Sequence, residues 1–416
     1  MARAVRTRER RGDLRSYALV TGAYWADTVT DGAIRTLVLF YFYERGYSPF
    51  EVASLFFFYE IFGIVTNLVG GWLAARLGLK STLVMGLAVQ VVALSMLTVP
   101  PGWLVVPYVM AAQALSGIAK DLTKMSSKSA VKLVAPADQP DALFRWVAIL
   151  TGSKNALKGV GFFLGGLLLT LVGFRTSLLL LTALVLTALL VIVVGMHGAL
   201  GQADSKAKFS QMFSNSRAVN LLSAARLLLF ASRDVWFVVG LPVYLETTLG
   251  WSFWQVGAFL AIWVIGYGGV QAAAPKLLAR RSQPDGRRAT WLAAILAAAP
   301  AGLAILLATS VDRTTVVIVG LGAFGIIFAL NSAVHSYLIL SYAESGRAAM
   351  NVGFYYMANA AGRLAGTVLS GALYEWRGLT ACLWASVAFV IAAGVISLLL
   401  PATRDAQPAT AGELAV

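Results

Sequence analysis

The sequence predicts an all-α membrane protein whose twelve transmembrane helices form two pseudosymmetric six-helix bundles. Three observations carry that expectation. The 416 residues are 59% hydrophobic and only 12% charged, about half the charged share of a soluble domain. Twelve apolar stretches approach or exceed the roughly 20 residues needed to cross a bilayer. The first six also repeat as the second six, in register.

The stretches lie at about 17–43, 49–75, 81–100, 103–131, 143–171, 176–199, 218–245, 253–279, 290–309, 314–342, 348–374 and 380–400. Connections are short and marked by turn formers, as in Tyr47-Ser48-Pro49 and Pro100-Pro101-Gly102. The expected organisation is a basic cytoplasmic tail (1–16), a first bundle (17–199), a polar central loop (200–217), a second bundle (218–400) and a tail (401–416). The basic opening run resembles the charged start of a signal peptide. However, Asp27, Asp31 and Arg35 interrupt the apolar segment and no small-residue cleavage site follows, so a retained first helix is expected.

Basic residues set the orientation. With both termini inside, the outer connections hold only Arg45, Arg175, Arg313 and Arg377. The remaining basic residues outside the spans fall on the inner side, which predicts that both termini are cytoplasmic. The net charge of +14 therefore reads as inner-face and in-membrane charge, and no nucleic-acid partner is expected.

The repeat is visible in three blocks. Gly46-Tyr47-Ser48-Pro49-Phe50-Glu51-Val52 aligns with Gly250-Trp251-Ser252-Phe253-Trp254-Gln255-Val256, and Leu73-Ala74-Ala75-Arg76 with Leu277-Leu278-Ala279-Arg280. Lys158, Gly161, Gly166 and Gly173 fall on Arg363, Gly366, Gly371 and Gly378. Two parallel six-helix repeats place a substrate site near midplane.

Charge inside a membrane costs roughly 2.5–3.5 kcal/mol per residue on insertion scales and is therefore paired, water-exposed or functional. Here Arg35, Lys120, Lys124, Lys154, Lys158, Arg226, Arg233 and Arg363 stand against Asp27, Asp31, Glu60, Asp121 and Asp234. The imbalance favours an anionic substrate. At about 1.5 Å rise per residue, Asp31, Lys120, Lys158, Arg233 and Arg363 come to a common depth of roughly 20–25 Å on spans 1, 4, 5, 7 and 11. Lys120, Lys124, Lys154, Lys158, Arg233 and Arg363 are the expected substrate-binding residues. Asp27, Asp31 and Asp234 are the expected coupling residues, with Glu60 a weaker candidate. Asp27, Asp31 and Arg35 share one face of span 1 and would serve equally as an ion-pair ladder between helices. Lys128 and Lys132 extend the lysine column of span 4, and Lys132 reads as a residue reaching for lipid headgroups. His335 reads as a packing residue. Tyr24, Trp25, Tyr355, Tyr356 and Asn359 either line the cavity or pack.

Other chemistries find no support. No phosphate-binding glycine loop, metal-ligand set or nucleophile–base arrangement stands out, so neither an enzyme nor a cofactor is expected. The single cysteine, Cys382, cannot supply the thiolate cluster that a soft metal requires. A membrane sensor would carry a signalling domain, and the sequence beyond Pro401 is short and polar.

Gly71-Trp72-Leu73-Ala74-Ala75-Arg76-Leu77-Gly78-Leu79-Lys80 resembles the loop signature G-x-L-a-D-R-x-G-R-K of the major facilitator fold, with Ala75 at the aspartate position. Gly161-Phe162-Phe163-Leu164-Gly165-Gly166 resembles the antiporter signature G-P-x-x-G-G, with Phe162 replacing proline. Gln113 takes the place of the arginine found in span 4 of many proton-coupled members. A closer resemblance lies in YALVTGAYWADTVTDGAIRTLVLFYFYERGYSP, NLVGGWLAARLGL, QALSGIAKDLTKMSSKSAVKLV and TGSKNALKGVGFFLGG, and more loosely in NVGFYYMANAAGRLAGTVLSG. These segments resemble the ArsJ-type organoarsenical efflux permeases. The resemblance implies export of 1-arseno-3-phosphoglycerate, made from arsenate by a partner glyceraldehyde-3-phosphate dehydrogenase. It further implies a monomer in the lipid bilayer conferring arsenate resistance, and it carries over no site residue. The basic cavity would equally serve an exporter or exchanger of another organophosphate or carboxylate.

Overall fold

The computed structural model describes residues 2–134, 140–196, 216–278, 285–342 and 348–401. Among these residues the chain is helical throughout and contains no strand. Span 1 is Ala2–Glu44, so the first helix continues back through the basic segment read as a tail. Span 2 comprises Pro49–Ser54 and Phe57–Leu77, span 3 Leu79–Met96 and span 4 Val106–Val134. Spans 5 and 6 form one helical run, Pro140–Gly195, broken at Gly173. Span 7 comprises Arg217–Phe237 and Gly240–Thr247, span 8 is Phe253–Leu278, span 9 Gly286–Leu306 and span 10 Arg313–Tyr342. Spans 11 and 12 form the run Ala348–Leu398, broken at Arg377 and Gly378. The central loop beyond residue 196, the tail after Pro401, His197, and the side chains of Lys128, Lys132 and the 71–77 signature lie outside what is described.

Polarity is inverted relative to a soluble protein. Leu171, Val194, Ile262 and Trp291 are exposed, whereas Asp27, Glu60, Asp121 and Asp234 are each only 1% exposed. An apolar outside with charged groups inside is the arrangement a lipid solvent selects.

The repeat reappears in the backbone. Gly46 and Gly250 take positive φ (85° and 69°), as do Gly173 and Gly378 (74° and 67°). Both pairs occupy matching repeat positions, and each turns the chain where a Cβ would strain it.

Two compact units emerge. The first contains residues 1–47, 65–207 and 251–265; the second contains 48–64, 208–250 and 266–416. The first part of span 2 thus packs within the second unit, and the start of span 8 within the first. Small residues make this possible. A Cβ on Gly166 would run into the carbonyl of Phe253, and a Cβ on Gly371 into that of Pro49. Within the first unit, spans 1 and 5 meet at Gly161 against Val29 O and at Gly32 against Lys158 O. Within the second, spans 7 and 11 meet at Gly362 against Leu227 O and at Gly366 against Ala231 and Asp234. Close backbone approach through glycine is how apolar helices associate where lipid removes the hydrophobic drive.

The discontinuity in span 7 is satisfied from span 11: the Ser370 hydroxyl accepts from the backbone N–H of Gly240 (3.0 Å) and Val239 (3.3 Å). Cys382 is buried, and its thiol donates to the Ser370 carbonyl at 3.6 Å. The lone thiol is part of a helix junction.

Gly161→Ala and Gly366→Ala are expected to lower stability by about 1–3 kcal/mol through overpacking against backbone. Gly22→Ala and Gly266→Ala, where nothing lies within 4 Å of the new Cβ, should be neutral or mildly stabilising. Thermal unfolding midpoints of the purified protein in detergent check this, and equal behaviour of the two pairs contradicts the packing role.

Candidate functional site

The glycine seam between spans 1 and 5 sets the charged centre of the first unit. With Gly32 lying against the Lys158 carbonyl, Lys158 Nζ reaches Asp31 Oδ2 at 3.1 Å. The ammonium also stands 5.8 Å from the ring centroid of Phe162, the residue in the proline position of the antiporter signature. Asp31 is thereby bridged to span 5.

Span 4 supplies the second part of this centre. Asp121 Oδ1 accepts from Lys124 Nζ at 2.5 Å, and Oδ2 accepts from Thr66 Oγ1 at 3.0 Å. Lys124 also donates to Asn67 Oδ1 at 2.6 Å. Asp27 accepts from Thr123 Oγ1 at 2.5 Å, while its other oxygen has no hydrogen-bond partner among the described residues. Lys120 lies within electrostatic range of both Asp27 and Asp121. Lys154 is half-buried on span 5, one turn before Lys158, and Arg35 is buried on span 1. The lysine wall expected from the sequence is thus partly neutralised, since Lys124 and Lys158 already hold carboxylates.

The second unit repeats the motif. Where spans 7 and 11 meet at Gly366, Arg363 Nε stands 3.5 Å from Asp234 Oδ2. Asp31 with Lys158 and Asp234 with Arg363 are therefore the same helix pair in the two repeats. Here the pair is extended at both sides. Arg363 also bridges Glu60 at 2.7 Å, and Asp234 bridges Arg233 at 2.6 Å. The guanidinium of Arg233 lies over the rings of Phe230 (4.8 Å) and Phe328 (5.5 Å). Glu60, ranked low in the sequence because its helix face was unknown, is a full member of this cluster.

A third cation of the second unit has different partners. Arg226 Nε donates to Asn359 Oδ1 at 3.0 Å, and one terminal nitrogen donates to the Ser332 hydroxyl and carbonyl, both at 3.0 Å. Asn359 therefore accepts a hydrogen bond from a buried charge.

The sequence matches the Major Facilitator Superfamily over residues 20–361. The chain belongs to that superfamily. It is a multi-pass membrane transporter and not an enzyme. Among solved structures, its fold is similar to a POT family transporter in complex with 5-aminolevulinic acid, with a TM-score of 0.75, 12% identity and coverage of 93% of this chain and 95% of that one. A POT family transporter with a thioalcohol-conjugated peptide gives a TM-score of 0.74 at 12% identity, covering 93% and 95%. A structure from work on proton-dependent oligopeptide transporters gives 0.69 at 14% identity, covering 95% and 100%. At such identities the likeness is one of fold. No curated protein matches the sequence.

Within the superfamily fold, the charged clusters lie on spans 1, 4 and 5 and on spans 2, 7 and 11. All six expected binding residues and all three expected coupling residues fall on these spans. Among the bridges described, Lys158 joins Asp31, Lys124 joins Asp121, Arg233 joins Asp234, and Arg363 joins Asp234 and Glu60.

Double-mutant cycles are expected to return coupling energies of about 0.5–3 kcal/mol for Asp31→Asn with Lys158→Gln and for Asp234→Asn with Arg363→Gln. Unfolding midpoints of single and double variants provide the measurement. Additive effects in both cycles would contradict the pairing.

Proposed function

We propose that this transporter exports an organoarsenical anion, 1-arseno-3-phosphoglycerate, and thereby confers arsenate resistance. The observation that carries the reading is the excess of cations inside the membrane: eight basic side chains face five acidic ones. A substrate bearing a phosphate and an arsenate ester needs such an excess. The resemblance of spans 1, 2, 4 and 5 to ArsJ-type permeases supplies the substrate's identity. Cys382 is buried against Ser370, which disfavours thiolate capture of arsenite. The protein would act as a monomer in the inner membrane of a bacterium, with both termini cytoplasmic. A glyceraldehyde-3-phosphate dehydrogenase would form the substrate.

The mechanism follows from the pairs. Lys158 and Arg363 act as equivalent clamps, one per repeat, and each is held by a carboxylate until an anion competes for it. Asp31 released from Lys158 becomes a proton acceptor, which links substrate binding to protonation and produces proton antiport. Export of an anion from a cell that is negative inside is also helped by about 2.3 kcal/mol per charge per 100 mV.

Expression in an arsenate-sensitive host is expected to give arsenate resistance only with the dehydrogenase, and no resistance to arsenite. Arsenite resistance of equal size, in cells unable to oxidise arsenite, would sink the reading. Resistance and export retained for other organophosphates alone would point to the broader anion class.

In inverted vesicles, Lys158→Gln and Arg363→Gln should each weaken substrate uptake by about a hundredfold in affinity. Asp31→Asn should make uptake insensitive to an imposed pH gradient at matched protein level. Wild-type uptake that ignores the gradient would return Asp31 to the role of structural counter-ion.

A further inference from the structure

Arg226 is only 4% exposed. Its hydrogen bonds end on an amide oxygen, a hydroxyl and a backbone carbonyl. Its faces are covered by the rings of Phe230 (4.1 Å) and Tyr355 (5.1 Å). Among the described residues it makes no salt bridge, and no acceptor engages its second terminal nitrogen. Lys124, Lys158, Arg233 and Arg363 are all bridged to carboxylates. A full charge held in a membrane interior by neutral groups alone is costly and calls for a function.

The surroundings are equipped for an oxyanion. Tyr267 Oη and Gln271 Nε2, both half-buried on span 8, donate to the same Ser332 hydroxyl at 3.4 and 3.3 Å. They place two neutral donors on the hydroxyl that accepts from the guanidinium. His335, one turn along span 10 and buried, has no partner for Nδ1 among the described residues.

Position connects this group to the cluster already described. Arg226 and Arg233 lie seven residues apart on span 7, hence two turns along one face and about 10 Å of rise. Phe230 sits between them, with one guanidinium 4.1 Å and the other 4.8 Å from its ring centroid. The two guanidinium carbons are therefore no further apart than the sum of those distances. That spacing suits a short molecule with an anionic group at each end.

The geometry points to Arg226, with Ser332 and Asn359, as a separate oxyanion subsite. It takes one terminal anionic group of a substrate whose other terminus is held at Arg233 and Arg363. The inference rests on the anion-export reading and deepens it, since it makes the preferred substrate class a compact molecule with two anionic ends. Arg226 supplies a fork of donors matched to a phosphate, arsenate or carboxylate. Because no carboxylate must first leave, this subsite accepts its ligand without a proton exchange.

The test uses the purified full chain in detergent and two probes, 3-phosphoglycerate with two anionic ends and inorganic phosphate with one. Binding is read by ligand-dependent shifts of the unfolding midpoint and by calorimetry. Wild type is expected to bind 3-phosphoglycerate at least roughly tenfold more tightly than phosphate. Arg226→Gln should remove that preference while leaving phosphate binding intact. Asn359→Asp provides an independent variant: it places a carboxylate 3.0 Å from Arg226 Nε and keeps the acceptor that holds the side chain. A purely structural arginine would be stabilised by this change with binding unaltered, whereas an anion subsite would be blocked. The expected result is a raised midpoint without ligand together with loss of the preference for 3-phosphoglycerate. Wild-type preference retained in a folded Asn359→Asp protein overturns the subsite even where Arg226→Gln does not fold. Absence of any saturable anion binding by wild type overturns the export reading itself, and the subsite with it.

Discussion

A charged side chain inside a bilayer must find a partner, and the interior of this protein is organised by that requirement. Lipid offers no water to stabilise an ion and no high dielectric to weaken its field. Each buried carboxylate must therefore be met by a cation or by hydrogen-bond donors. Asp121 is met by Lys124 and Thr66, Asp234 by Arg233 and Arg363, and Glu60 by Arg363. These contacts join span 4 to span 2 and span 7 to span 11. The polar interactions thus tie together the helices that carry the buried charges, while the most exposed side chains are apolar.

Such pairs form only if the helix backbones come close, which is the role of the glycines. Gly161 against Val29 and Gly366 against Ala231 are repeat-related contacts. Each presses a helix bearing an aspartate against a helix bearing a cation. The duplicated chain therefore preserves a geometric unit of acid, base and the glycine that lets them meet. It has not preserved the surroundings. The second pair is flanked by Arg233 and by Glu60 of span 2, whereas the extra charges beside the first pair lie on span 4. The two similar pairs therefore stand in different electrostatic settings.

Much of this architecture is legible in the sequence. Helix number, repeat register and the identity of the in-membrane charges follow from hydropathy and from offsets near 204, because the length of a span and the period of a duplication survive in one dimension. The glycine turns at 173 and 378 follow from the same register. The sequence is silent on which way a side chain faces. Glu60 is only a weaker candidate there, because rise per residue sets depth but not the direction around the helix axis. The wall of span 4 and 5 lysines looked uniformly basic for the same reason, while in space Lys124 and Lys158 are bridged to aspartates. Arg226 was noted only as one charge among eight. Its distinguishing feature, neutral partners from spans 10 and 11 more than a hundred residues away, has no sequence signature. Helix ends were also displaced: span 1 continues to Ala2 because arginine and glutamate are good helix formers even where lipid no longer requires helix.

The two kinds of buried cation differ in what they present to an incoming anion. A cation bridged to a carboxylate is already neutralised, so an anion gains there only by displacing the carboxylate or by waiting until it is protonated. Binding at such a position is an exchange, and its net free energy is a small difference between two large attractions. A cation held by amide, hydroxyl and carbonyl oxygens keeps its whole charge, and an anion arriving there replaces nothing of its own sign. A cavity made only of the second kind would hold a polyanion too tightly to release it, and one made only of the first kind would capture it poorly. Span 7 carries one of each on the same face, Arg226 with neutral partners and Arg233 with Asp234, separated by the ring of Phe230. Capture and release can then be assigned to different ends of one ligand: affinity arises where the charge is bare, and reversibility where the charge is shared. A short molecule with two anionic ends is the shape of ligand for which that division works.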